Sequence, residues 1–199
     1  MTLKLNGSSS GSVSIDAPAT TTGGADLTYT LPNATTGGII RTTTTPGSIL
    51  QVVQTVDQAD YASGTNAIAS GGWYTPSITV SITPTATSSK ILFTGHVVAG
   101  AGNSPMCIRL RVNKAGSALA AANGEAAGSR SLGHSGGTTH ADNYVCTLPI
   151  NYLDSPNTTS AVTYGFSLGH HESSSQTMYV GRNATDSDAD DNGRYPTIL

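Results

Sequence analysis

The sequence predicts an all-β chain: an N-terminal extended β-arm or shaft, then an antiparallel β-sandwich head of jelly-roll-like type. Three observations carry that expectation. Apolar residues alternate with polar ones in short runs, the period of a strand with one buried face. The 23 glycines and 9 prolines place turn chemistry between those runs. Strong helix formers are few outside one Ala-rich patch at Ala118–Ala122.

The arm spans residues 1–45. Leu3 and Leu5, then Val13 and Ile15, then Leu27, Tyr29 and Leu31 mark three short alternating strands. Asn6–Gly11 and Pro18–Gly24 separate them with turn residues. Strands this short bury little alone, and an isolated hairpin is marginal in water. Three copies wound around one another would supply the missing cover. Val13, Ile15, Leu27, Tyr29 and Leu31 are therefore the candidate oligomer and anchor interface. At about 25 cal/mol per Å² their burial would offset the ordering of a segment unstable by itself. Thr42–Gly47 reads as an extended linker.

The head spans residues 46–199. Its first strand is expected over Ile49–Val56, from β-branched content. Ile78, Val80 and Ile82 alternate with Thr79, Ser81 and Thr83; after Pro84 and a Ser/Thr turn, Ile91, Phe93 and Val97 alternate again. These two runs read as a hairpin. Ile108, Leu110 and Val112 are expected inward, with Arg109, Arg111 and Asn113 outward. Gly116–Gly137 reads as a long loop or ribbon, Ala118–Ala122 as one helical turn at most. Tyr144–Tyr152 is a strand whose Pro149 implies an edge or a bulge. Val162–Leu168 and the shorter Met178–Val180 complete about seven antiparallel strands. By alternation Cys107 falls on the face of Arg109 and Arg111 while Cys146 sits with Leu148 and Ile150, which predicts two buried thiols and no disulfide.

Composition narrows the function classes. Only 11% of residues are charged and the net charge is −3, so there is no electrostatic case for a nucleic-acid partner. No run approaches the roughly 20 apolar residues that span a membrane as a helix. Met1-Thr-Leu-Lys-Leu5 lacks the apolar core of a signal peptide, so synthesis in a cytoplasm without visible export is expected.

Several motifs imitate chemistry. Gly7–Gly11 and Gly133–Gly137 both match G-x-S-x-G, placing Ser9 and Ser135 at the nucleophile position. That elbow needs a strand-to-helix turn and a later acid and histidine, and no such context is visible. A glycine-rich surface loop is expected at Ser135, and no catalysis. Asp188, Asp190 and Asn192, followed by Gly193, match the opening of a calcium loop, where alternate hard oxygens suit Ca²⁺. Position twelve would be Leu199 where a bidentate Glu is required, so a solvated acidic turn competes with a Ca²⁺ site. His170 and His171 are adjacent and should point to opposite faces of a strand, which splits any metal site they would share. Asn6, Asn33, Asn157 and Asn183 begin Asn-x-Ser/Thr triplets and read as turn residues. Trp73 and Tyr74 are the candidate receptor contact, an aromatic pair able to stack on a host surface glycan.

Leu3–Ala19, Leu27–Pro32, Gly47–Thr55, Ile82–Leu92 and Tyr152–Tyr164, in this order, resemble the virion structural proteins of tailed phages, especially those of cyanobacteria and marine bacteria. The resemblance implies a non-enzymatic, homotrimeric protein displayed on the virion surface. Its partners would be other copies of itself and other virion proteins, of the tail or baseplate, or the major capsid protein. A short tail fibre is the first expectation, because the arm is similar to fibre shafts. A capsid decoration or cement protein is the alternative, because the chain is short. A carbohydrate-binding module using Trp73, Tyr74 and the loops around Gly133 and His170 is the third.

Overall fold

The computed structural model describes residues 2–6, 12–16, 49–59, 61–62, 68–102, 105–125, 127–188 and 192–199. The chain divides into two units, Met1–Ile49 and Leu50–Leu199. In the first, β1 (Thr2–Asn6) and β2 (Ser12–Asp16) pair antiparallel, with Leu3 opposite Ile15 and Leu5 opposite Val13. Leu27, Tyr29 and Leu31 lie outside the described residues.

The second unit is built from two antiparallel sheets. One holds β3 (Val56–Asp57), β4 (Tyr61–Ala62), β6 (Ile91–Ala101), β10 (Cys146–Asp154), β12 (Met178–Val180) and β13 (Thr197–Ile198). The other holds β5 (Thr79–Ile82), β7 (Met106–Lys114), β8 (Ser117–Ala118), β9 (Ser135–Thr139) and β11 (Val162–His170). Strand β6 is the spine of the first sheet. β10 runs along one of its edges, while β12 and β13 share the other. In the second sheet β11 lies between β5 and β7, and β8 and β9 share the far edge of β7. The four long strands β6, β7, β10 and β11 alternate between the sheets in chain order, as in a jelly-roll-like sandwich.

Each long strand buries one face, and those faces meet. Ile91, Phe93, Val97, Ala99 and Ala101 of β6 and Leu148 and Ile150 of β10 line one side of the core. Ile108, Leu110 and Val112 of β7 with Tyr164, Phe166 and Leu168 of β11 line the other. Phe93 and Tyr164 stack across the gap at 5.2 Å between centroids. Such a pair contributes about 0.5–1.5 kcal/mol beyond the area it buries.

Four expectations change. Ser77–Val98 is not a hairpin: β5 pairs β11 and β6 pairs β10, so the polar stretch between them carries the chain from one sheet to the other. Of the expected Ile49–Val56 strand only Val56 lies in one, β3, which is extended by reciprocal backbone bonds between Thr55 and Leu199 at 3.0 and 2.9 Å. Ser135–Thr139 is strand β9 rather than loop; it carries no hydrophobic period because it is held by its ladder to β7. A Cβ on Gly137 would stand 2.9 Å from Cys146 Cβ, so glycine there is what lets β10 pack against it. Both cysteines are free but half-buried rather than buried.

Other readings hold. Ala120–Ala122 forms one 3-10 turn. Pro149 sits on β10, whose only ladder partner among the described residues is β6; Asn151 N, of the same parity, donates to His134, so the missing Pro149 donor also faces away from β6.

Candidate functional site: the Trp73–Arg111 recess

Strand β7 alternates apolar and cationic residues, which puts Arg109 and Arg111 on the outer face of the second sheet. On β11 their ladder partners are Gly169 and Ser167. The segment before β5 runs beside β11, with Tyr74 N and O both bonded to Leu168 at 2.8 Å. This pairing turns Tyr74 toward the core, where it is half-buried and burial raises its hydroxyl pKa. Its neighbour Trp73 turns outward. A Cβ on Gly169 would lie 3.1 Å from Trp73 Cε3, so the glycine leaves the indole room to lie against the sheet. The Arg111 guanidinium then stands 4.4 Å from the indole centroid, and that of Arg109 5.7 Å.

The far wall comes from the chain after β8. Ala115 and Gly116, with φ of 50° and 78°, make the tight turn that joins β7 to β8. Asn123 then acts as a substitute strand: Val112 N donates to its Oδ1 at 2.9 Å, and its Nδ2 donates to Val112 O at 3.1 Å and Leu119 O at 2.8 Å. His134 anchors the end of this loop. Its Nε2 accepts from Asn151 N at 3.1 Å, so Nδ1 carries the proton and donates to Ala122 O at 2.6 Å. Trp73, Arg111, Ala118, Ala120, Asn123 and Leu132 enclose a recess of about 190 Å³.

The electrostatics of the recess are one-sided. Arg109 donates to His170 O. Arg111 has no hydrogen-bond or ion-pair partner among the described residues, and its Nε is shielded from solvent. Burial lowers its pKa by penalising the charged form. A planar cation with unmatched donors, held over an aromatic ring, is prepared for an anion that can fill its fork.

The other sequence candidates lie elsewhere. Asp188 is exposed, and Asp190 lies outside the described residues. Asn192 Oδ1 accepts from Asn183 Nδ2, and Asn192 Nδ2 donates to Ser187 Oγ at 2.6 Å. No group of three His, Cys, Asp or Glu able to hold a metal occurs among the described residues. His170 is buried, with Nε2 donating to Ile68 O at 2.8 Å and Nδ1 accepting from Glu172 N at 3.1 Å. His171, one residue beyond the end of β11, is exposed beside Glu172, so the two rings part. Ser135 opens β9, with no helix after it. Asn183 is 1% exposed and bonds Asn143 O, Asn192 and Asp186 N, which makes it the organiser of its loop.

No protein-family model matches this chain, and no curated protein matches it. The site therefore rests on its own geometry. Trp73 was singled out from the sequence; Arg111, Asn123 and Gly169 were not. The outward placement of Arg111 was legible from alternation along β7. Its meeting with Trp73 was not, because the meeting depends on the β7–β11 ladder between segments far apart in sequence.

Proposed function

We propose that this chain is a non-enzymatic structural subunit of a tailed-phage particle, a homotrimer displayed on the virion surface as a short tail fibre. The observation that carries this reading is the pairing of a Ser/Thr-rich β-arm, similar to fibre shafts, with a sandwich whose first sheet presents an uncharged outer strip along β6 and β10. Along that face the ladder sets Leu92 opposite Leu153 and His96 between Pro149 and Ile198, with Val56 beyond. Leu92 is 61% exposed, Leu153 57% and Val56 51%. No Asp, Glu, Lys or Arg stands on it between Leu92 and Val98 or on the facing residues of β10. An uncharged strip with exposed leucines and valine is the kind of surface on which subunits pack.

The subunit's partners are then copies of itself and the tail or baseplate proteins that hold the arm. Cryo-EM reconstruction of the particle that carries the chain tests this. Three-chain stems at the tail or baseplate support the fibre. Density at capsid three-fold positions, with the arm along the major capsid protein, replaces it with a decoration protein. A chain absent from purified particles overturns the reading.

A further inference from the structure

We propose that the recess beside Trp73 binds the carboxylate of a single acidic sugar residue, a uronate, with Arg111 as its anion contact. The arrangement of donors decides the anion. Asn123, the other polar side chain in the wall, has its amide oxygen and both amide hydrogens committed to backbone. Arg109 does not line the recess, and it donates from Nη2 to His170 O. Among the described residues Arg111 is the one guanidinium in the lining, which suits a monoanionic carboxylate met by two parallel N–H bonds better than a phosphate dianion. The rest of the wall is apolar: Ala118, Ala120, Leu132 and the Trp73 indole would meet the C–H face of a sugar ring. At about 190 Å³ the recess is smaller than the roughly 300–1,000 Å³ of sites for drug-sized ligands, so it holds one ring. Every residue of the site belongs to one chain. The proposal goes beyond the particle reading and does not depend on it.

The chain has one tryptophan, so tryptophan fluorescence, excited where its tyrosines do not absorb, reports on this recess. The full chain is titrated with glucuronate, glucose and inorganic phosphate at constant ionic strength, with calorimetry as a second readout. A saturable response to glucuronate is expected, with glucose and phosphate at least about tenfold weaker, the loss that follows from removing a charge-assisted pair. Arg111→Gln should weaken glucuronate by about tenfold or more, and Arg111→Lys by less, since it keeps the charge and loses the fork. No saturable response, an equal response to glucose or phosphate, or unchanged affinity in Arg111→Gln overturns the proposal. Should Arg111→Gln fail to fold, saturation-transfer NMR on the unmodified chain decides: transfer to the glucuronate ring protons supports the site, and none overturns it.

Discussion

The Tyr164 hydroxyl donates a 2.5 Å hydrogen bond to Asp154 Oδ2, and Lys114 Nζ meets that same oxygen at 2.6 Å. Ser155 N takes Oδ1 at 2.8 Å. Asp154 belongs to the first sheet, Lys114 and Tyr164 to the second, so one carboxylate ties the two layers beside the Phe93–Tyr164 stack. Buried ionic groups stabilise only when every lone pair is met, and here both oxygens are engaged.

That network makes stability depend on pH. Burial opposes ionisation of Asp154, but the bonds from Lys114 and Tyr164 and the Lys114 charge outweigh it and hold the carboxyl below its usual range. A depressed folded-state pKa contributes stability that is present above the unfolded value of about 3.9 and is lost as pH falls through the folded one. Urea midpoints should therefore drop on acidification toward pH 3. Asp154→Asn should lower stability at pH 7 by about 2–4 kcal/mol, because it leaves Lys114 unpaired, and should flatten the acid dependence. An unchanged midpoint in Asp154→Asn would remove the network's role.

Gly95 marks where the chain's last residues cross β6. A Cβ there would collide with Ile198 O and come within 3.2 Å of Leu199 Cα. Both obstacles are backbone and cannot rotate away. Gly95→Ala should cost roughly 2–4 kcal/mol and detach β13, seen as faster amide exchange at Thr55 and Leu199, whose mutual bonds would open.

Cys146 should be a slow thiol. Burial first, then the nearby Cys107, push its pKa to about 11. At pH 8 about one molecule in a thousand then carries the thiolate that alkylates. Peptide mapping after iodoacetamide should find Cys146 nearly unmodified in the folded chain and fully modified in urea. Equal labelling in both states would contradict its placement against Gly137.

The fold was legible where one-sided burial writes a period of two. Alternation along Ile78–Ile82, Ile91–Val97, Ile108–Val112 and Val162–Leu168 marked four of the main strands and their buried faces. Which sheet each strand joins was not legible, because β5 and β6 would carry the same pattern as hairpin partners or as layers facing across a core. Strand β9 was hidden for the opposite reason, since Ser-Gly-Gly-Thr-Thr buries almost no apolar surface and gains its place from backbone bonds. At the site, the aromatic anchor could be picked out, while Tyr74 proved to face the core as its partner turned outward. Asn123 and His134 left no trace, because their roles consist of bonds to backbone that only the folded chain brings within reach.

Assembly is the central claim, and light scattering on the purified full chain at near-physiological salt tests it most directly. The account predicts a stable particle of three times the 20.2 kDa chain mass, about 61 kDa, held through apolar contacts and so insensitive to added salt. A monomer near 20.2 kDa across the concentration range would contradict it.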